Sequence, residues 1–184
     1  MDRQRRHQLL CEIEGYLDLV NVLAEQWPLS DATRDRIVGR ALEAVRDLEE
    51  AGETCGELLL LKGEALRTVG RFAEAIDPLS RAGDVLCDDL HVFLALAWCY
   101  KRVDRVDLAI EALEEALVID PAKAILHYNL ACYWSLSGNA PLAADFLAQA
   151  FDLDSKYRDL VAGESDFDPV RHDPAFLAVT SVIV

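Results

Sequence analysis

Apolar residues return every three or four positions along most of the chain, the spacing that gathers them on one side of an α-helix. In the first such stretch, residues 7–26, the stripe is Leu9, Leu10, Ile13, Tyr16, Leu17, Val20, Leu23 and Ala24. Trp27-Pro28-Leu29-Ser30-Asp31 interrupts it, and Ser30 or Asp31 can cap a second helix. That helix runs to about residue 51 on Ile37, Ala41, Leu42, Val45 and Leu48, and Gly52 suits its exit. The pattern then predicts helices over 54–69 and 72–86, linked at Gly70-Arg71, where glycine can take a positive φ. Two further helix pairs follow, linked at Asp104-Arg105 and Gly138-Asn139, with Asp104 a candidate cap for the helix after it. Pro141 is tolerable in a first turn, where its missing N–H has no intrahelical acceptor. A short helix over 155–162 and another opened by Asp173-Pro174 finish the chain, the last with Phe176, Leu177 and Val179 packed inward.

These helices repeat. Displaced by ~34 residues, the period of a helix-turn-helix unit, the sequence falls on its own residue classes without a gap. Ala97 meets Gly63 and Ala131, Tyr100 meets Leu66 and Trp134, and Leu113 meets Leu79 and Leu147. Ala109 meets Ala75 and Ala143, and Ala116 meets Ala82 and Ala150, while Pro121 finds only Cys87 and Ser155. The physical sense is close packing, since helix axes approach to about 8–10 Å only where the residues between them are small.

A small residue, an aromatic, a turn residue, two alanines and a closing proline in this order resemble the tetratricopeptide repeat. Three copies match it, at 56–89, 90–123 and 124–157, with Leu66 at the aromatic place of the first and the closing proline present in the central one, as Pro121. Residues 7–52 read as a divergent N-terminal helical pair that caps the stack: Ala41 holds the first alanine place, but Leu48 takes the second. Terminal repeats depart from consensus because one face meets solvent. Residues 158–184 read as a C-terminal cap, in which Asp166-Phe167 ahead of a short helix is similar to the ending of some bacterial arrays of this family. The resemblance implies one all-α domain spanning 1–184, a right-handed superhelical solenoid of antiparallel helix pairs.

Composition narrows the function. With 184 residues and 52% apolar content the chain can bury a sizeable core. A formal net charge of -15 disfavours nucleic acid and favours a basic partner. The five cysteines form no C-x-x-C pair and are odd in number, which fits a reducing cytoplasm, with Cys99 as a core residue. The basic start of the chain is followed by apolar residues, but Glu12, Glu14 and Asp18 interrupt any signal-type core, and Leu10 is bulkier than the residue expected before a lipid-modified cysteine. No apolar run approaches the ~20 residues needed to span a bilayer.

No phosphate loop, nucleophile elbow or paired-histidine motif appears, and His7, His91, His127 and His172 lie too far apart to share a helical face. Asp166, Asp168 and Asp173 read as caps and turn residues before cation ligands. The expectation is therefore a protein without catalytic residues, cofactor or metal. The resemblance implies a concave groove lined by the first helix of each repeat, which receives a protein or peptide segment. Carrying the family's groove places over gives Glu57, Leu60, Glu64 and Arg67, then His91, Leu94, Ala95, Trp98, Lys101 and Arg102, then Ile125, Tyr128, Asn129, Cys132 and Ser135. Trp98 and Tyr128 stand out as aromatic anchors beside hydrogen-bonding neighbours. The lysine-rich clamp that related domains use on acidic chaperone tails is missing, because those places hold Leu60, Glu64, Ala95, Ile125 and Asn129. The alternative is a self-associating homodimer, or a groove filled by the chain's own N-terminal helix or tail.

Overall fold

The computed structural model of the chain describes residues 1–26 and 29–181, without the side chains of 23–26. The interruption expected at Trp27-Pro28, the inward placing of Leu23 and Ala24, and the last three residues of the expected C-terminal cap lie outside the described residues. Among the described residues there are ten α-helices: α1 Arg3–Gln26, α2 Asp31–Glu50, α3 Gly56–Thr68, α4 Phe72–Val85, α5 Leu90–Arg102, α6 Val106–Ile119, α7 Ala124–Leu136, α8 Ala140–Leu153, α9 Tyr157–Val161 and α10 Pro174–Thr180. A 3₁₀ turn, Ser165–Phe167, lies between the last two. The chain divides into two compact units, Met1–Cys99 and Tyr100–Val184, with the boundary inside α5.

Side-chain caps set several of the helix starts. Ser30 Oγ accepts from Thr33 N–H at 3.3 Å to open α2, Asn139 Oδ1 accepts from Leu142 N–H at 3.2 Å to open α8, and Asp173 Oδ1 accepts from Ala175 N–H at 2.8 Å to open α10. Pro141 and Pro174 both sit in first turns, where no intrahelical bond is lost. Helix α1 begins ahead of its apolar stripe because Asp2 Oδ1 accepts from Arg5 N–H at 2.7 Å. Pro78, in contrast, lies inside α4 and is buried there, so packing has to offset the roughly 3 kcal/mol that an interior proline costs a helix.

In the first unit α1 packs against α2 and α3 against α4, antiparallel in each pair, while α2 and α1 both reach α3. Its core contains Ile13, Val38, Ala41, Leu48 and Ala65, all without exposed surface. Beside it, Val92 of α5 closes on Leu59 of α3 and Ala82 of α4. In the second unit α7 packs against α8 and α6, α10 lies on α8, and the 3₁₀ turn lies on α7. The six alanines of the repeat register, Ala75, Ala82, Ala109, Ala116, Ala143 and Ala150, have no exposed surface, nor do Leu79, Leu113 and Leu147. Gly63 holds the small place on α3 for a steric reason: a Cβ there would stand 2.4 Å from Leu79 Cγ.

Two local expectations are corrected. Asp104 does not cap α6, whose preceding residue, Arg105, makes no side-chain cap bond. Instead Asp104 adopts a left-handed φ of 61°, at the register position where Gly70 and Gly138 have 77° and 78°. The backbone takes the same left-handed conformation at all three links, so aspartate there does a glycine's job at a steric cost. Leu177 is 45% exposed and Val179 only half-buried, leaving Phe176 to anchor α10; a helix of two turns presents too narrow an inward face for all three.

These packing arguments give two expected outcomes. Gly63→Ala forces Leu79, which has no room to withdraw, and loses about 1–3 kcal/mol. Asp104→Gly relieves the left-handed backbone and gains up to about 1 kcal/mol. Urea denaturation reads both as shifts of the midpoint in opposite directions.

Candidate functional site

Helices α1, α3 and α5 of the first unit enclose an open groove of about 700 Å³. From α1 it is lined by Glu14, Leu17, Asp18 and Asn21; from α3 by Leu60, Leu61, Glu64, Arg67 and Thr68; and from α5 by His91. Glu14, Asp18 and Asn21 follow one another at four and three residues, so α1 turns one polar stripe into the groove while Leu10, Ile13 and Leu17 face the core. On α3, Arg67 Nη2 donates to Glu64 Oε2 at 2.5 Å and Arg67 Nε to the same oxygen at 3.1 Å. The Thr68 hydroxyl donates to the Glu64 carbonyl oxygen at 2.8 Å. The one pair fixes Arg67 on Glu64, whereas neither Glu14 nor Asp18 has an ion-pair partner among the described residues.

In the second unit the face of α7 is covered by the chain itself. Phe167, without exposed surface, lies edge-on to Tyr128 with ring centroids 5.7 Å apart, and Tyr157 lies 4.9 Å from Tyr128 on another side. Ser135 Oγ donates to the main-chain carbonyl of Asp166 at 2.7 Å, and Lys101 Nζ pairs with the Asp166 carboxylate. Arg171 donates to the carbonyl oxygens of Glu164 at 2.8 Å and Val161 at 3.4 Å, tying the segment to the end of α9. Burial drives the Tyr128 hydroxyl and the Cys132 thiol well above their ordinary pKa values, and the acids Glu164 and Asp166 push both the same way. In the first unit, burial likewise pushes the Cys99 thiol up to about 11.

The residues named from sequence divide accordingly. Leu60, Glu64, Arg67 and His91 come together in the groove, and Lys101, Tyr128, Cys132 and Ser135 meet under the tail. Glu57 lines a separate cleft beside Arg3, Arg6 and His7. Trp98 is 42% exposed and Arg102 exposed, while Leu94 and Asn129 are half-buried. Sequence reasoning missed Glu14 and Asp18, since the polar side of a terminal helix reads as a solvated face; their spacing with Asn21 is the signal that points to a shared side. It also missed Phe167, whose partners lie far away in sequence.

Cys132 Sγ and carboxylate oxygens of Glu164 and Asp166 lie within 4.8 Å of one another. Both carboxylates are already engaged: Glu164 Oε1 accepts from Asp166 N–H at 3.2 Å, and Asp166 holds Lys101. Of the aspartates expected to act as caps and turn residues, Asp173 caps α10, whereas the side chain of Asp168 pairs with Arg171 at 2.9 Å and that of Asp166 with Lys101.

No protein-family model and no curated protein matches the sequence. Solved structures do match. YrrB, a TPR protein with an unusual peptide-binding site, is 19% identical with a TM-score of 0.60, over 82% of this chain and 73% of its own. MamA 41-end from Desulfovibrio magneticus RS-1 is 15% identical with a TM-score of 0.61, over 94% of this chain and 97% of its own. MamA from MSR-1 is 19% identical with a TM-score of 0.62, over 83% and 96%. Likeness at these identities establishes architecture, and with the helix pairing and the buried alanine register it makes this a TPR-like chain of antiparallel helix pairs.

Proposed function

We propose that the protein is a non-catalytic adaptor that holds a basic, extended segment of a protein partner in the groove between α1 and α3. The observation that carries this reading is the pair Glu14 and Asp18, two carboxylates one helical turn apart that share a groove wall and have no ion-pair partner among the described residues. Like charges at that spacing oppose each other by about 0.2–0.5 kcal/mol, and a cation in the groove reverses the sign. The groove's volume, about 700 Å³, accommodates several side chains, and Leu17, Leu60 and Leu61 supply apolar floor beside the acids. YrrB, with the same architecture, is a TPR protein with a peptide-binding site, which supports peptide as the ligand class.

A non-catalytic role agrees with the character of the most perturbed groups. Cys99, Tyr128 and Cys132 are shifted by burial in packed interior, and none of them lines the groove. The free state of all five cysteines is consistent with work in the cytoplasm. Among the described residues no helix is long and apolar enough to cross a membrane.

Fluorescence polarisation with labelled decapeptides that alternate lysine or arginine with leucine tests the reading. The basic peptides are expected to bind, and glutamate versions of the same peptides are not. Glu14→Gln with Asp18→Asn weakens binding about tenfold, the ~1.4 kcal/mol expected of two partly exposed ion pairs. Binding falls further as salt rises. Equal affinity for acidic and basic peptides, or an unchanged affinity in the double variant, sinks the proposal.

A further inference from the structure

Residues 164–167 lie against α7 and against Lys101 in the last turn of α5 through three separable contacts, all within the second unit. A main-chain acceptor, the Asp166 carbonyl, receives Ser135 Oγ–H; an acid, the Asp166 side chain, receives Lys101; and an aromatic ring, Phe167, fills a hollow walled by Tyr128 and by Phe176, whose centroid is 5.2 Å away. This combination of backbone hydrogen bond, charge and anchor side chain is how short linear segments are recognised. None of the three contacts requires the segment to be joined to the rest of the chain. The segment is also not part of an α-helical ladder. It is a three-residue 3₁₀ turn whose N–H of Asp166 is satisfied by its own neighbour Glu164, so it can leave without breaking a helix.

We propose that this face of α7, together with Lys101 at the end of α5, is a docking site for a partner segment carrying an acidic residue followed directly by an aromatic one, and that residues 164–167 occupy it while the partner is absent. The site is separate from the groove between α1 and α3, and its charge preference is opposite: Lys101 receives an acid, whereas Glu14 and Asp18 attract a base. A tethered occupant acts at an effective concentration of about millimolar. An untethered segment therefore binds with an affinity reduced by the fraction of molecules whose own segment has left. Cys132 reports on this directly, being 3% exposed beneath the segment with its sulfur close to Glu164 and Asp166.

The test uses the full chain and a fluorescein-labelled peptide of residues 164–169, Glu-Ser-Asp-Phe-Asp-Pro. Asp166→Asn removes the tethered segment's charge and keeps its volume, so the peptide is expected to bind this variant at least about tenfold more tightly than the unaltered chain. Adding Lys101→Met removes that gain, because the peptide's own aspartate then has no cation. A peptide with alanine in place of its phenylalanine does not bind. As a second measurement, the rate at which N-ethylmaleimide modifies Cys132, followed by peptide mapping, rises in Asp166→Asn and returns toward its original value when the peptide saturates the site. The proposal is overturned if the peptide binds neither protein, binds both alike, or keeps its gain without Lys101. It is equally overturned if Cys132 in Asp166→Asn reacts only upon global unfolding, since the segment is then a fixed part of the core.

Discussion

Everything in this fold depends on how closely two helices can approach where their side chains are small. Alanine at 75, 82, 109, 116, 143 and 150 and glycine at 63 leave room for the leucines at 79, 113 and 147 to sink completely between helices. The contact is steric before it is hydrophobic. A methyl group added at Gly63 would overlap Leu79, so the apolar area buried there is available only because the opposing residue has no side chain. The links share a local constraint of their own: Gly70, Asp104 and Gly138 each hold a left-handed backbone, with φ of 77°, 61° and 78°.

Once pairs are packed this way, the first helix of a pair has one face left over, and the two units treat that face differently. On α3 the leftover face carries Glu64, Arg67 and Leu60 and opens into a groove whose far wall belongs to α1. On α7 it carries Tyr128, Cys132 and Ser135 and is sealed by the chain's own tail. The sealing has chemical consequences. Burial keeps the Cys132 thiol and the Tyr128 hydroxyl protonated, because an ion there would lose its hydration and face Glu164 and Asp166. The Lys101 pair with Asp166 is held largely out of water, so removing either partner strands the other, a harsher change than losing one of the exposed pairs such as Arg40 with Glu43.

Much of the architecture is legible in the sequence because its governing constraint is local and repeated. A small residue is needed at a fixed place in every pair, and a shift of the chain against itself reveals it. What sequence reading lost were features that depend on one place only. Asp104 occupies a glycine position through a backbone tolerance that aspartate shares weakly, and its capping propensity pointed elsewhere. Phe167 meets Tyr128 and Phe176 through tertiary packing that no periodicity encodes. Glu14 and Asp18 sit on a helix whose polar side is ordinarily solvated, and only the position of α3 opposite turns that side into a wall. Leu177 failed for the reverse reason: an apolar residue on a short terminal helix has less core to enter than its hydropathy suggests.

The difference between the two leftover faces bears on what kind of interaction each can support. A groove lined by acids and solvent-open gains its selectivity from long-range charge, so it discriminates by sign and is sensitive to salt, and its occupant can be extended and varied in sequence. A face closed over an aromatic ring gains selectivity from shape and desolvation, so it demands a particular side chain and excludes water before any charge is read. At α7 the two effects stand side by side: Phe167 packs edge-on to Tyr128 while its chain neighbour Asp166 pairs with Lys101, largely out of water. If the docking proposal holds, an occupant is therefore selected for both elements together, an acidic residue with an aromatic one directly after it.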